Sequence, residues 1–284
     1  MTTKDVLVVL LSDMHSGNNH ALFPAHHWQG KNGNNHAPTS EQEAIHKQFV
    51  RFGEQIAERR KGKRVVLVHD GDAIEGTHHN NIDVCTRDTT EQANIHVELM
   101  AQFQKSIGWK AGDSLYYVAG TETHTNDVEW DIAEDLNAVR DADNRPVFDH
   151  LQLTVNGVPM WFVHHGPTAN DVLNEGKTLQ NWLKSIYWSA LREGKQAPQV
   201  FASGHVHQPA YATFTVNTNG RYDYRTMHGI ILPSWQAKTR YAYKKAPIAR
   251  NIIGGVSFVV QANGTIETPV FCVMETESVT RIEA

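Results

Sequence analysis

His205 and His207 stand on alternate positions just past the apolar stretch 200–203, on the far side of Gly204. Alternate residues of an extended segment point to the same side, so both imidazoles can face one point beyond the end of a strand. Imidazole is the commonest side-chain ligand for transition metals. In a chain with 17 histidines one such pair carries little weight alone, and its partners decide the matter. Four other apolar runs end in ligand-type residues. "VLVVLLSDMH" (6–15) delivers Asp13 and His15, and "RVVLVHDGD" (64–72) delivers Asp72. "LYYVAGTETH" (115–124) ends in a turn carrying Glu122 and His124, and "MWFVHHG" (160–166) delivers His164 and His165. Ligands of α/β sheets collect outside the carboxyl ends of the strands. Five strand ends bearing carboxylates and imidazoles therefore predict metal chemistry.

Helical patterns separate these strands. A capping box at Ser40 and Glu43 precedes Ile45, Phe49, Phe52 and Ile56 at three- and four-residue spacing. Thr89 and Gln92 open a second helix through Val97, Met100, Phe103 and Ile107, and residues 168–194 form a third, interrupted at Gly176. Strand and helix alternate, as in a layered α/β fold. Later segments read as hairpins, with Asn-Gly at 156–157, 219–220 and 263–264. The expectation is one domain over 1–284 built from two packed sheets with helices outside. Two long loops, 17–39 and 76–90, follow ligand-bearing strand ends and are expected near the site.

The composition is that of an ordinary globular chain: 284 residues, 40% hydrophobic, 20% charged. A net charge of −5 argues against a generally basic, nucleic-acid-coating protein. Cys85 and Cys272 match no Cys-x-x-Cys pattern, so a reducing compartment fits. The apolar run ending at Leu11 is too short for a signal h-region or a membrane span, so the expected location is the cytoplasm, without a membrane partner.

The ordered series Asp13-x-His15, Gly71-Asp72-x-x-Glu75, Gly120…His124, His165-Gly166 and Gly204-His205-x-His207 resembles the calcineurin-like metallophosphoesterase superfamily. Beyond 207 the likeness is general, although "LPSWQAKTRYAYKK" (232–245) is similar to uncharacterised phage-encoded members. The resemblance implies a four-layer αββα sandwich of two mixed sheets flanked by helices, holding two divalent transition-metal ions. Manganese is favoured over iron, zinc or nickel. Asp13, His15 and His207 would bind the first ion, His165 and His205 the second, and Asp72 would bridge them.

The third signature departs from the family. The family's asparagine ligand is absent from "GTETH". Glu122 is the strongest chemical replacement, with Thr121 and Asn126 as weaker ones; Glu122 can equally orient a histidine. Neighbours on a strand point opposite ways, so one ring of the 164–165 pair faces the site. The match before glycine selects His165, leaving His164, like Asp70, as buried support. His26, His27, His78 and His79 are expected to be solvated loop residues.

The activity implied is phosphoester hydrolysis by a metal-bridging hydroxide, with His124 as the catalytic acid. "SWQAKTRYAYKK" (234–245) interleaves Trp235, Tyr241 and Tyr243 with Lys238, Arg240, Lys244 and Lys245, a pattern able to stack bases and meet phosphates. It favours a phosphodiester in a nucleotide or nucleic acid. A phosphomonoesterase, including a protein phosphatase, and a non-catalytic binding or structural protein with a relic metal site are the alternatives.

Overall fold

The computed structural model describes residues 4–30, 33, 35–77, 82–125, 127–168, 175–218, 224–239, 244 and 250–276. In chain order the first half contains β1 (Val6–Leu11), β2 (Trp28–Gln29), β3 (Asn35–His36), α1 (Ser40–Arg60), β4 (Arg64–Asp70), α2 (Thr89–Ser106), β5 (Ser114–Val118), α3 (Glu122–Thr125) and α4 (Val128–Asp135). The second half contains β6 (Val147–Phe148), β7 (Leu151–Val155), β8 (Val158–Phe162), α5 (Glu175–Arg192), β9 (Val200–Ser203), β10 (Ala210–Asn217), β11 (Tyr224–Ile231), β12 (Ile252–Val260) and β13 (Val270–Glu275).

β1 is buried along its whole length, because both of its faces meet apolar layers. Leu7, Val9 and Leu11 pack toward the helices with Phe49, Phe52, Ile95 and Phe103. Val6, Val8 and Leu10 point the other way, into a core shared with Met160, Phe162, Ala202 and Ile230. β1 sits within a six-stranded sheet ordered β13-β12-β1-β4-β5-β6, and the facing sheet runs β10-β11-β9-β8-β7. β1, β4, β5 and β6 are parallel, as are β8, β9 and β11, while the remaining pairs are antiparallel. Leu179 and Leu183 of α5 pack on the outer face of the second sheet with Phe201, Met227 and Ile231. The layers are thus helix, sheet, sheet and helix, as expected from the sequence.

Local signals shift by a residue at both long helices. Thr39, not Ser40, caps α1: its hydroxyl accepts from Gln42 N at 3.1 Å, and Gln42 Oε1 accepts from Thr39 N at 3.0 Å. Asp88, not Thr89, caps α2, accepting from Thr90 N. Gln92 pins the loop after β4, taking Gly76 N at 2.7 Å and donating to Thr86 O at 2.9 Å. The Asn156-Gly157 hairpin joins β7 to β8 with both residues left-handed. Asn219 and Gly220 lie outside the described residues. The 17–39 loop is not a surface lid along its length, since Ala21, Leu22 and Phe23 are fully buried. Among the described residues no helix is long and apolar enough to cross a membrane.

A buried ion pair ties α1 to the start of the central strands. Arg60 Nη2 donates to Asp113 Oδ2 at 2.6 Å, and Asp113 Oδ1 accepts from Val65 N at 2.9 Å. Removing one partner of a buried pair strands the other charge. Asp113→Ala should lower unfolding free energy by about 3 kcal/mol, read from urea denaturation; a loss under about 0.5 kcal/mol would show that the pair contributes little.

Candidate metal centre

The parallel ladder of β1 and β4 continues past both strands and sets the two key carboxylates side by side. Asp13 N donates to Gly71 O at 3.1 Å and His15 N to Asp72 O at 3.0 Å. Asp13, His15, Asp72, His205 and His207 all have positive φ, making five of the nine such non-glycine residues described. Left-handed backbone is costly for these residues, and such outliers gather at functional sites. Gly71 and Gly204 are where side chains would not fit: a Cβ at Gly71 would lie 2.3 Å from His164 Nδ1, and one at Gly204 would lie 2.7 Å from Asp13 Oδ2.

The resulting donors converge. His207 Nε2 lies 3.2 Å from Asp13 Oδ1 and 3.3 Å from His15 Nε2. His15 Nε2 is 3.9 Å from Asp13 Oδ1 and 3.8 Å from Asp72 Oδ2. Asp13, His15 and His207 can therefore share one ion, and His164, His165 and His205 form a second group of close donors. Asp72 borders both, joining a group with His15 and His124 and another with Asp13 and His164.

Supporting contacts fix these side chains. Asp13 accepts from the backbone N–H of His205 at 3.0 Å, and Asp72 from that of Thr121 at 2.6 Å. His15 Nδ1 lies 3.1 Å from Glu75 Oε2, itself held by Gln236 Nε2 at 3.0 Å. His124 Nδ1 donates to Glu75 O at 2.8 Å, which orients the ring, and the residue joins a close donor group with His15 and Asp72. Glu129 takes the amides of Ala73 and Gly120, bracing the loops after β4 and β5. The sequence reading assigned no role to Gln236 or Glu129; both are polar side chains that the structure buries.

Three expectations change. β8 ends at Phe162, so strand alternation no longer governs residues 164 and 165, and both rings face the donor group. Glu122 opens α3 exposed to solvent and belongs to none of the donor groups among the described residues. The turn instead brings Thr121 Oγ1 to 3.1 Å from His165 Nε2 and 3.3 Å from Asp72 Oδ2. Trp235 is no stacking platform: it is fully buried, with its ring 4.9 Å from that of Phe49. Arg240, Tyr241, Tyr243 and Lys245 lie outside the described residues, as do Asn126, His78 and His79. His26 and His27 are exposed. Asp70 is buried; its carbonyl accepts from Ser12 Oγ and His164 Nδ1, and its carboxyl has no hydrogen-bond partner among the described residues.

Burial alone would raise Asp13 and Asp72, yet the neighbouring histidines, His207 and His164 above all, hold both well below the usual carboxylate range. Burial likewise lowers His15 and His164, but Glu75 lifts His15 to about 9, and the charge on Asp13 lifts His164 to about 10. Desolvation takes His205 down to about 4 and also lowers His124. Burial raises Asp70 to about 8.

The sequence matches no family model and no curated protein. Among solved structures the chain is similar to an archaeal phosphodiesterase, at 10% identity and a TM-score of 0.41 over 93% of this chain and 99% of that one. It is similar to Vps29 of Entamoeba histolytica complexed with zinc, at 9% identity and a TM-score of 0.37 over 94% and 99%. A metallophosphoesterase from Sphaerobacter thermophilus gives 10% identity and a TM-score of 0.32 over 95% and 88%.

Protonated imidazole cannot bind a cation, so below their raised values His15 and His164 would have to lose protons to serve as donors. Zinc loading at pH 7 should release about two protons, and apparent affinity should rise from pH 6 to 8. Calorimetry in buffers of differing ionisation enthalpy measures both; no proton release and a flat affinity would contradict the charge assignment.

Proposed function

We propose that this chain is a member of the calcineurin-like metallophosphoesterase superfamily that hydrolyses a phosphodiester, in a nucleotide or nucleic acid, using two divalent transition-metal ions. The observation that carries this reading is the convergence of donors from separate strand ends: Asp13, His15 and His207 form one close group, His164, His165 and His205 another, and Asp72 joins groups with members of each; in this reading Asp13, His15 and His207 would hold one ion, His165 and His205 the other, and Asp72 would bridge them. Carboxylate oxygen with imidazole nitrogen suits transition ions better than calcium or magnesium. His164 Nε2, buried and 3.1 Å from Asp72 Oδ2 with no hydrogen bond among the described residues, also fits a site made for a cation.

Ions held by these residues would supply an activated water near neutral pH and offset charge on the phosphoryl oxygens. The chain supplies orientation and a proton. Glu75 sets the ring of His15, and the backbone of Thr121 and His205 sets the two carboxylates. His124, oriented through Nδ1 by the carbonyl of Glu75, would protonate the departing oxygen. Among the described residues the ion pairs of Asp13 and Asp72 are all with histidines.

Asp72→Ala should lose bound metal and turnover together. His124→Ala should retain both ions and lose about 10²- to 10⁴-fold in kcat. Retained turnover in Asp72→Ala would overturn the mechanism. Metal-loaded protein should cleave bis-p-nitrophenyl phosphate faster than p-nitrophenyl phosphate. The reverse preference would indicate a phosphomonoesterase, and no cleavage of either with two ions bound would indicate a binding protein.

A further inference from the structure

The proposed pair of ions leaves one question open in this chain: what stands in for the missing asparagine. We propose that His164 does, so that the second ion is held by three imidazoles, those of His164, His165 and His205, an assignment that rests on the two-ion reading above.

His164 is oriented as a ligand would be. Its Nδ1 donates to Asp70 O at 2.7 Å, which fixes the ring and leaves the lone pair on Nε2. That nitrogen is buried, makes no hydrogen bond among the described residues, and lies 3.1 Å from Asp72 Oδ2. Two donors about 2.1 Å from one ion and at right angles are about 3 Å apart, so this spacing suits two ligands of a single cation. One nitrogen of each imidazole lies within 4.8 Å of the others. The rings of His165 and His205 are 4.4 Å apart, and His164 is 5.0 Å and 5.4 Å from them. Thr121 Oγ1 stands among the same atoms, 3.1 Å from His165 Nε2 and 3.5 Å from His205 Nδ1. A neutral hydroxyl is a poor ligand beside an imidazole, and Thr121 serves better to space the rings. Exchanging an amide oxygen for a third nitrogen moves the preference of this position toward zinc, cobalt or nickel and away from manganese.

Metal-free protein is loaded with zinc, dialysed, and its metal counted by mass spectrometry. Wild type and Glu122→Ala should retain two ions, and His164→Ala one, with the lost ion bound at least about 100-fold more weakly on titration. Because His164 is buried, an independent measurement uses folded wild type: with ¹¹³Cd and ¹⁵N-histidine labelling, Nε2 of His164 should show one-bond coupling to cadmium. One ion or none in wild type would sink the two-ion reading itself. Two ions in wild type and two, equally tight, in His164→Ala would overturn only the role of His164, as would two cadmium ions with no coupling at His164.

Discussion

Two carboxylates with no access to water, Asp13 and Asp72, are the constraint around which the molecule is arranged. They are 0% and 2% exposed and adjacent, and both are held in the charged form. Ionised groups so placed need positive charge close by or the fold cannot bear them. Both follow strands of the six-stranded sheet, whereas His164, His165, His205 and His207 follow strands of the facing sheet. Charge compensation therefore crosses the sandwich, and one end of the apolar interlayer is closed by a polar seam. His15, from the same sheet as the carboxylates, completes the set and is steadied by Glu75.

The backbone holds this seam in an unfavourable conformation. Five left-handed residues among the donors are a cost that the surrounding ladders must offset. They do so through bonds that continue β1 and β4 beyond their last strand residues, and through Trp235 N, which donates to Asp13 O at 3.0 Å. The donors are thus set in place by the scaffold, which suits a site that must present several ligands at once.

Much of this was legible in the sequence, for a physical reason. A strand buried on both faces reads as a continuous apolar run, and the polar residues that end it stand out, so the five strand ends and the layered fold could be read directly. What escaped lay where periodicity stops. The pair at 164–165 follows the end of β8, and the alternation that separates neighbours no longer applies there. Glu122 was favoured for its chemistry, but the turn into α3 leaves it in solvent. Trp235 sits among polar and basic neighbours and so reads as surface, although tertiary packing puts its ring beside Phe49 and Phe52. Gln236 and Glu129 look like solvent-facing residues in the sequence, since nothing local marks a polar side chain whose partner lies far along the chain.

The place of β12 in the first sheet bears on how the molecule is made. β1 is flanked by β4 on one side and by β12 on the other, and β12 leaves the ribosome only after every strand that carries a donor. Until then one edge of β1 has open amides and carbonyls, a template for pairing with another nascent chain. Truncation before residue 252 would leave every proposed ligand in the product but strip that edge bare, so such fragments should precipitate during expression.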